Sequence, residues 1–253
     1  MTESIRTHPR IVLWPETVIT VYLSGEPELR SRFAQLAQEM QTTLVVGSDD
    51  REEGRAYNAL WFFNAAGDEA TYHKEHLVPF AEYLPARQVL GALPVSGLIS
   101  TFSPGTGTGV YDAGGIPAAP IICYESGFSD LVFSRVAAGA QLLLIATDDG
   151  WFGTSAGLDQ HAEIASLRAV ESGRWTVRAA ATGISGIVAP DGRYTGRLGI
   201  DERGILTGNV GPPQPTVFSR IGPHAITSVF VVALFAIVGF GRQKLRVATI
   251  VSA

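Results

Sequence analysis

The chain has 253 residues, of which 46% are apolar and 17% are charged, so it is long enough to bury a sizeable core. Its net charge of −5 and its pI near 5.5 argue against nucleic acid as a partner, because nucleic-acid-binding proteins usually carry a basic face. A single cysteine excludes an internal disulfide. The mean hydropathy of +0.18 is high for a purely soluble protein and predicts a membrane-facing segment.

Strands and helices are predicted to alternate along the chain, which favours an α/β layered fold. Apolar runs that end at proline or turn residues predict strands, and apolar residues at helical spacing predict helices. In chain order, we predict strands at 11–14, 43–48, 58–64, 120–122, 142–146 and 186–189, with helices at 27–41 and 162–172. The apolar, glycine-interrupted stretch at 89–102 fits either a flexible lid or ordinary core.

The C-terminal part of the chain contains an uncharged apolar segment at 225–241, beyond a Pro/Gly-rich linker at 211–224. Its length is near the lower limit for spanning a bilayer, which takes roughly 17 to 25 residues. We predict one transmembrane helix here, with a buried core helix as the alternative. Arg242, Lys244 and Arg246 lie in the tail at 242–253 and predict, by the positive-inside tendency, a cytoplasmic C-terminus.

Three separated motifs supply the parts for covalent catalysis. They contain Glu16 in Trp-Pro-Glu-Thr, Lys74 in Tyr-His-Lys-Glu-His and the single cysteine, Cys123. A nucleophilic thiol needs a base to take its proton and a cation to favour the thiolate and the oxyanion that follows. Glu16 and Cys123 each follow a predicted strand, and sites in α/β folds collect at strand ends. The alternative is that Cys123 is a small buried apolar residue.

Longer motifs around these residues resemble the nitrilase-like domain of the apolipoprotein N-acyltransferase family. The motifs are Trp-Pro-Glu-Thr at 14–17, the segment from Tyr72 to Pro85, Cys-Tyr-Glu-Ser at 123–126 and Asp-Gly-Trp-Phe-Gly at 149–153, and the match runs from about Ile11 to about Gly192. The resemblance implies an αββα sandwich at 1–210, followed by the linker, the transmembrane helix and the tail, and it implies no cofactor.

The resemblance also implies roles for individual residues. Cys123 is expected to be the nucleophile, Glu16 the general base and Lys74 the cation that stabilises the oxyanion, while Glu82 matches a second glutamate that supports these three. His73 and His76 are three residues apart without a third ligand nearby, so we predict no metal site.

Other positions match the family less directly or depart from it. Tyr124 and Glu125 match positions needed for activity, which we attribute to the geometry of the site. Trp151 and Phe152 are either part of a substrate-facing loop or aromatic anchors that pack the loop onto the core. The family usually has glycine at position 81 and asparagine at position 148, where this chain has alanine and aspartate.

The implied reaction moves a fatty acyl chain from a phospholipid, through a Cys123 thioester, to the N-terminal amine of a diacylglyceryl-cysteine apolipoprotein. This implies an enzyme of the bacterial inner membrane whose catalytic domain faces the outer side. One alternative keeps the same residues but hydrolyses a small amide or nitrile. A second alternative is an inactive, truncated remnant.

The N-terminal segment Met1 to Arg10 is polar and contains no apolar signal-peptide region. In the family, membrane helices and then a first strand and helix of the sandwich precede Trp-Pro-Glu. We therefore expect the sandwich to lack that strand and helix. Without an upstream targeting segment, the C-terminal helix alone predicts a tail-anchored protein with its domain in the cytoplasm, which conflicts with the location that the family implies.

Overall fold

Two β-sheets pack face to face at the centre of the folded protein. The computed structural model describes residues 8–86, 100–107 and 109–247. In the first sheet, β1 and β2 lie one after the other along one edge of β3 and run parallel to it, and β4 and β5 follow as antiparallel neighbours. These strands are β1 (Ile11–Leu13), β2 (Ile19–Tyr22), β3 (Thr43–Glu52), β4 (Arg55–Phe63) and β5 (Glu69–His73).

The second sheet has the order β11-β10-β9-β8-β7-β6, and its three central strands β7, β8 and β9 are parallel. Its strands are β6 (Tyr111–Ala113), β7 (Ile116–Ile122), β8 (Leu142–Thr147), β9 (Trp175–Ala180), β10 (Ser185–Val188) and β11 (Tyr194–Leu198). The helices are α1 (Pro27–Met40), α2 (Ser129–Ala137), α3 (Gly157–Ser172) and α4 (Val217–Val247).

Side chains alternate between the two faces of each sheet and so build three apolar clusters. Val45, Leu60 and Leu144 lie in the cluster between the sheets. Leu44 and Val46 face away from it and pack with Phe33 and Ala37 of α1. On the far side, the outer face of the second sheet packs against α2 and α3. The four layers are therefore helix, sheet, sheet and helix, as the resemblance implied.

The predicted strands and helices are present, with different ends. Strand β3 continues past its predicted end at Ser48 to Glu52, because its polar residues still pair with β4. A tight turn connects the two strands, and Glu53 and Gly54 both take positive φ values there, 48° and 78°. Such a two-residue turn matches the twist of a hairpin.

Helix α4 begins at Val217, inside the segment predicted as a linker, and is bent near Gly222 and Pro223. Proline lacks a backbone N–H, and Gly222 has φ of 75°. Within the described ranges, no single helix is both long and apolar enough to cross a membrane. The bent pair Val217–Ala225 and Thr227–Val238, at 56°, passes that test only when taken together. The prediction of one transmembrane helix at 225–241 is therefore not confirmed.

The alternative for this segment, a buried core helix, is wrong for the side chains that the structure describes. Val229, Phe230 and Phe235 are 68%, 72% and 72% exposed. The proposed lid at 89–102 lies mostly outside the described residues, which resume at Ser100.

Candidate active site

Three strand ends bring Glu16, Lys74 and Cys123 to one edge of the sandwich. Glu16 follows β1, Lys74 directly follows β5, and Cys123 begins a 3-10 turn (Cys123–Gly127) directly after β7. The Lys74 ammonium is 1% exposed and lies 3.4 Å from Oε1 of Glu16. The charges of Glu16 and Lys74 both act on the Cys123 thiol, in opposite directions. The three residues predicted from separate motifs therefore share one buried site.

The Glu16 carboxylate is held by three donors and is 8% exposed. Oε1 accepts a hydrogen bond of 2.7 Å from Nδ2 of Asn58, and Oε2 accepts one of 2.8 Å from the backbone N–H of Asp148. The loop that carries Glu16 crosses β3 at Gly47, where a Cβ atom would overlap the carbonyl of Pro15. Burial raises the pKa of Glu16 above its usual value, although Lys74 and the hydrogen bonds oppose the shift.

Glu82 supplies a second carboxylate to the ammonium. Its Oε1 accepts hydrogen bonds of 2.8 Å from Nζ of Lys74 and 3.0 Å from Nδ2 of Asn58, while Oε2 accepts one of 2.7 Å from the backbone N–H of Val78. Burial disfavours the charged form of Lys74, but Glu16 and Glu82 outweigh it and raise the pKa of the ammonium above its usual value. Lys74 is therefore a fixed positive charge at physiological pH.

Cys123 is half-buried and lies in a strained backbone conformation, with φ of 48°. Burial, followed by the negative charge of Glu16, raises the pKa of its thiol to about 12, and Lys74 opposes this shift. The resting side chain is thus a neutral thiol. A nucleophile in this state needs a base to remove its proton as it reacts.

Glu125 ties the Lys74 segment to the Cys123 segment. It is fully buried, and its Oε2 accepts a hydrogen bond of 2.7 Å from the backbone N–H of Ile122, the residue before the cysteine. Its Oε1 accepts bonds from the backbone N–H groups of Glu75 at 2.7 Å and His76 at 3.2 Å, directly after Lys74. The sequence predicted a geometric role for Glu125, and these bonds are the means by which it can act.

We call the hydrogen bonds of Glu125 to Ile122, Glu75 and His76 the Glu125 clamp. Arg135 of α2 contacts two residues next to this clamp. Its Nη2 donates hydrogen bonds to the Tyr72 hydroxyl at 2.5 Å and to Oε1 of Glu75 at 3.2 Å. The guanidinium lies 4.7 Å from the centre of the Tyr72 ring, and Arg135 is 1% exposed. A charge in this position needs such partners, because an unpaired buried charge is strongly destabilising.

Sequence reasoning missed Asn58 and a buried network beneath Cys123. Asn58 was detectable as a polar residue within an apolar strand. In the network, Oδ2 of Asp149 accepts one hydrogen bond of 2.7 Å from Nη2 of Arg178, and Oδ1 lies 2.8 Å from Nδ1 of His161. Nε2 of His161 lies 3.2 Å from the carbonyl oxygen of Cys123. Burial acts to raise the pKa of Asp149, but His161 and Arg178 outweigh it and lower the pKa.

The aromatic candidates lie at the surface. Tyr124 is 41% exposed and packs edge-to-face on Phe128, with ring centroids 5.0 Å apart. Trp151 is 84% exposed, which contradicts the alternative that it anchors the loop to the core. Phe152 is 37% exposed, and the centroid of its ring lies 5.4 Å from that of His161, so the ring does contact a buried side chain.

Aspartate stands at position 148, where the family usually has asparagine, and its contacts show what this difference changes. Its Oδ1 accepts hydrogen bonds from the backbone N–H of Gly150 at 3.0 Å and from the Thr182 hydroxyl at 2.7 Å. The bond to Glu16 comes from the backbone of Asp148, not from its side chain. The departure thus leaves the donor to Glu16 in place.

The fold and the site define a class of enzyme. The carbon-nitrogen hydrolase family profile matches residues 3–214 of the chain. This protein belongs to the carbon-nitrogen hydrolase family.

Its curated relatives are named apolipoprotein N-acyltransferase. The relative from Pseudomonas paraeruginosa is 35% identical over 224 residues, which are 85% of this chain and 44% of the relative. The relative from Bradyrhizobium diazoefficiens is 35% identical over 246 residues, which are 92% of this chain and 45% of the relative. The chain thus spans less than half the length of these relatives.

Solved structures with the same fold are nitrilase-superfamily amidases. A double mutant of the amidase from Nesterenkonia sp. AN1, in complex with acrylamide, superposes with a TM-score of 0.66 at 20% identity and covers 90% of this chain and 87% of that one. Another mutant of this amidase superposes with a TM-score of 0.65 at 20% identity, over 90% of this chain and 87% of that one. The nitrilase-like α/β fold predicted from the resemblance is confirmed.

Proposed function

We propose that the chain is the catalytic domain of an apolipoprotein N-acyltransferase. In this reaction, a fatty acyl chain moves from a phospholipid to Cys123 and then to the N-terminal amine of a diacylglyceryl-cysteine apolipoprotein. The observation that carries the proposal is the buried Glu16–Lys74 pair, which acts electrostatically on a thiol with a pKa of about 12. Such a site holds a nucleophile, a base and a cation together.

The first half-reaction follows from the charges. Glu16 takes the proton from Sγ of Cys123, and the sulfur attacks the ester carbonyl carbon of the phospholipid. Lys74 and a backbone N–H stabilise the oxyanion that forms. When the carbon–oxygen bond breaks, Glu16 returns the proton to the leaving alkoxide. The products are a Cys123 thioester and a lysophospholipid.

In the second half-reaction, the neutral α-amine of the apolipoprotein attacks the thioester carbonyl. Glu16 accepts the proton that the nitrogen loses as the amide bond forms. The carbon–sulfur bond breaks, and the leaving thiolate recovers this proton from Glu16. Because the two substrates react in turn, ping-pong kinetics are expected.

The acyl chains of both substrates imply a membrane-bound enzyme, which we place in the bacterial inner membrane with this domain on the outer face. Two observations support the membrane location. Trp151 is 84% exposed beside the site, and large apolar side chains of α4 are exposed from Val229 to Val238. Exposed aromatic and apolar side chains of this kind are typical of membrane interfaces.

A second candidate function is hydrolysis of a small amide. The amidase structures with TM-scores near 0.65 favour it through fold alone, at 20% identity. The N-acyltransferases are closer in sequence, at 35% identity over most of the chain. We therefore rank acyl transfer first.

Intact-protein mass spectrometry of the detergent-solubilised chain after incubation with phospholipid tests the proposal. The expected result is one added acyl mass on the parent chain, labile to hydroxylamine and absent from Cys123→Ala. A parallel assay measures ammonia release from butyramide. Ammonia release without an acyl adduct would favour the amidase. A chain that unfolds cooperatively but shows neither activity would be the inactive remnant.

A further inference from the structure

Two buried acceptor oxygens next to the candidate active site have no donor. Oδ1 of Asp49 and Oδ1 of Asn58 are both enclosed by protein, and neither has a hydrogen-bond partner among the residues that the structure describes. Asn58 is 3% exposed. A buried polar atom without a partner is destabilising, so a pair of them at one site calls for a physical explanation.

The strand register brings these two side chains together. Asp49 of β3 lies directly opposite Asn58 of β4 in an antiparallel pair. Side chains that are directly opposite project from the same face of the sheet, with Cβ atoms about 4.5–5.5 Å apart. The Lys74 side chain lies on the same face, because its Nζ and Nδ2 of Asn58 both donate to Oε1 of Glu82, at 2.8 Å and 3.0 Å.

The orientation of the Asn58 amide is determined by its other end. Its Nδ2 donates to Oε1 of Glu16 at 2.7 Å and to Oε1 of Glu82 at 3.0 Å. An ionised carboxylate can only accept hydrogen bonds, so the NH₂ group must face the two glutamates. Oδ1 of Asn58 therefore points away from them and needs a donor of its own.

The surrounding charges favour a proton on Asp49. Burial raises the pKa of Asp49 to about 6, and the negative charges of Glu16 and Glu82 add to this shift. Lys74, the cation of the site, is already bonded to those two glutamates. The neighbouring Asp50 projects from the other face of β3 and contacts Nε2 of His73 at 2.6 Å. Within the described part of the chain, Asp49 has no ion-pair partner of its own.

We propose that Asp49, in its protonated form, donates a hydrogen bond to Oδ1 of Asn58, and that this bridge holds the Asn58 amide against Glu16 and Glu82. Asp49 is then a positioning residue that acts through Asn58 on the general base. The part of the inference that concerns catalysis rests on the proposed role of Glu16. When Asp49 ionises, two acceptors face each other, and the amide loses the support that orients it.

The protonation state of Asp49 can be measured without turnover. In the full chain labelled with ¹³C at the aspartate carboxyl carbon, we expect one resonance that titrates near pH 6 or higher and disappears in Asp49→Asn. The matched control is Asp50→Asn, which changes the adjacent aspartate on the opposite face and should retain this resonance. If every aspartate titrates below about pH 5, near the usual value for this residue, the proposal is wrong.

A second measurement uses the effect of pH on stability. The pKa of Asp49 is higher in the folded state than the usual value of about 3.9, so ionisation weakens the folded state as pH rises from about 4 to about 6. Asp49→Asn should therefore raise the Tm of the chain above pH 6 and have little effect below pH 4. An unchanged Tm at pH 8 would contradict the bridge.

The effect on the reaction separates positioning from simple packing. Asp49→Asn keeps a donor to Asn58 at every pH. Acyl-adduct formation should therefore continue in this variant, without the fall in rate above about pH 6 that ionisation of Asp49 should cause in the parent chain. Asp49→Val lacks a donor, and its rate should fall by about tenfold or more across the pH range while the protein stays folded. Equal rates and identical pH profiles in both variants would overturn the proposal. If neither the parent chain nor the two variants form an acyl adduct but Asp49 titrates as expected, the proposed function is wrong. The hydrogen bond between Asp49 and Asn58 would still be supported.

Discussion

The hydroxyl group of Tyr72 donates a hydrogen bond of 2.7 Å to Oε1 of Glu125, and both side chains are buried. Tyr72 lies near the end of β5 and Glu125 lies after β7, so this bond crosses between the two sheets. Burial is the main cause that raises the pKa of Tyr72, and the charge of Glu125 adds to it. The tyrosine therefore stays a neutral donor at physiological pH.

Glu125→Ala should destabilise the chain by more than about 3 kcal/mol, because it leaves buried backbone donors of Glu75 and Ile122 without an acceptor. Thermal unfolding measures this change. The control is Glu163→Gln, which alters an exposed glutamate of α3 and should change stability by less than about 0.5 kcal/mol. Similar Tm values for the two variants would argue against a stabilising role for the hydrogen bonds of Glu125.

Lys74→Met should slow acyl-adduct formation by at least about 10²-fold, because it removes the cation that we propose stabilises the oxyanion. The pKa of Glu16 should also rise further, since Lys74 opposes the effect of burial on that carboxyl. Single-turnover mass spectrometry with phospholipid gives the rate. Lys244→Met, which changes the other lysine of the chain, is the control, and a loss of less than tenfold at Lys74 would contradict the assigned role.

Glu16→Gln should have opposite effects on two reactions of Cys123. The charge of Glu16 contributes to raising the thiol pKa to about 12, so its removal should increase the thiolate fraction and speed alkylation by iodoacetamide. Acylation by phospholipid should instead slow, because the variant lacks the general base that we propose for this reaction. Both rates are measured by intact mass, since Cys123 is the only thiol. Parallel changes in the two rates would contradict the base assignment.

The parent chain provides the matching pH test. With a thiol pKa of about 12, alkylation of Cys123 should rise about tenfold per pH unit from pH 7 to 10. The alkylation rate of an ordinary thiol would instead reach a plateau above about pH 9. A plateau of this kind would show that the pKa of the Cys123 thiol is not raised.

Asp148→Asn should have little effect. The asparagine Oδ1 can accept the same bonds from Gly150 and Thr182, and the backbone N–H still donates to Glu16. We expect a change in stability of less than about 1 kcal/mol and an unchanged adduct rate. A large loss of activity would mean that the negative charge at this position contributes to the site.

Trp151→Ala tests the contact with lipid. Because Trp151 is 84% exposed, its removal should change stability by less than about 0.5 kcal/mol. Binding to phospholipid vesicles, measured by co-sedimentation, should fall. Leu167→Ala, at an exposed apolar position on α3, is the control. Equal vesicle binding by both variants would argue against a membrane-facing loop.

The sequence alone predicted six of the strands that the structure describes, because apolar runs such as Leu142–Thr147 mark buried strands. It did not predict β2, β5, β6, β9, β11 or α2. It did not predict the end of β3, since its last residues are polar and pair with β4 only through the hairpin. The motifs also pointed to Glu16, Lys74 and Cys123. The single transmembrane helix at 225–241 was not confirmed, because no single helix among the described residues is long and apolar enough to cross a membrane.

Local residue patterns pointed to the chemical groups of the candidate site: the thiol of Cys123, the ammonium of Lys74 and the carboxylates of Glu16 and Glu82. Only the tertiary structure decided their charge states and their supports. Burial and mutual electrostatic effects keep Lys74 charged and the Cys123 thiol neutral. Asn58 and Asp49 join the site through the register of two strands. Such a pairing depends on which residues lie opposite one another, and no local pattern in a sequence contains that information.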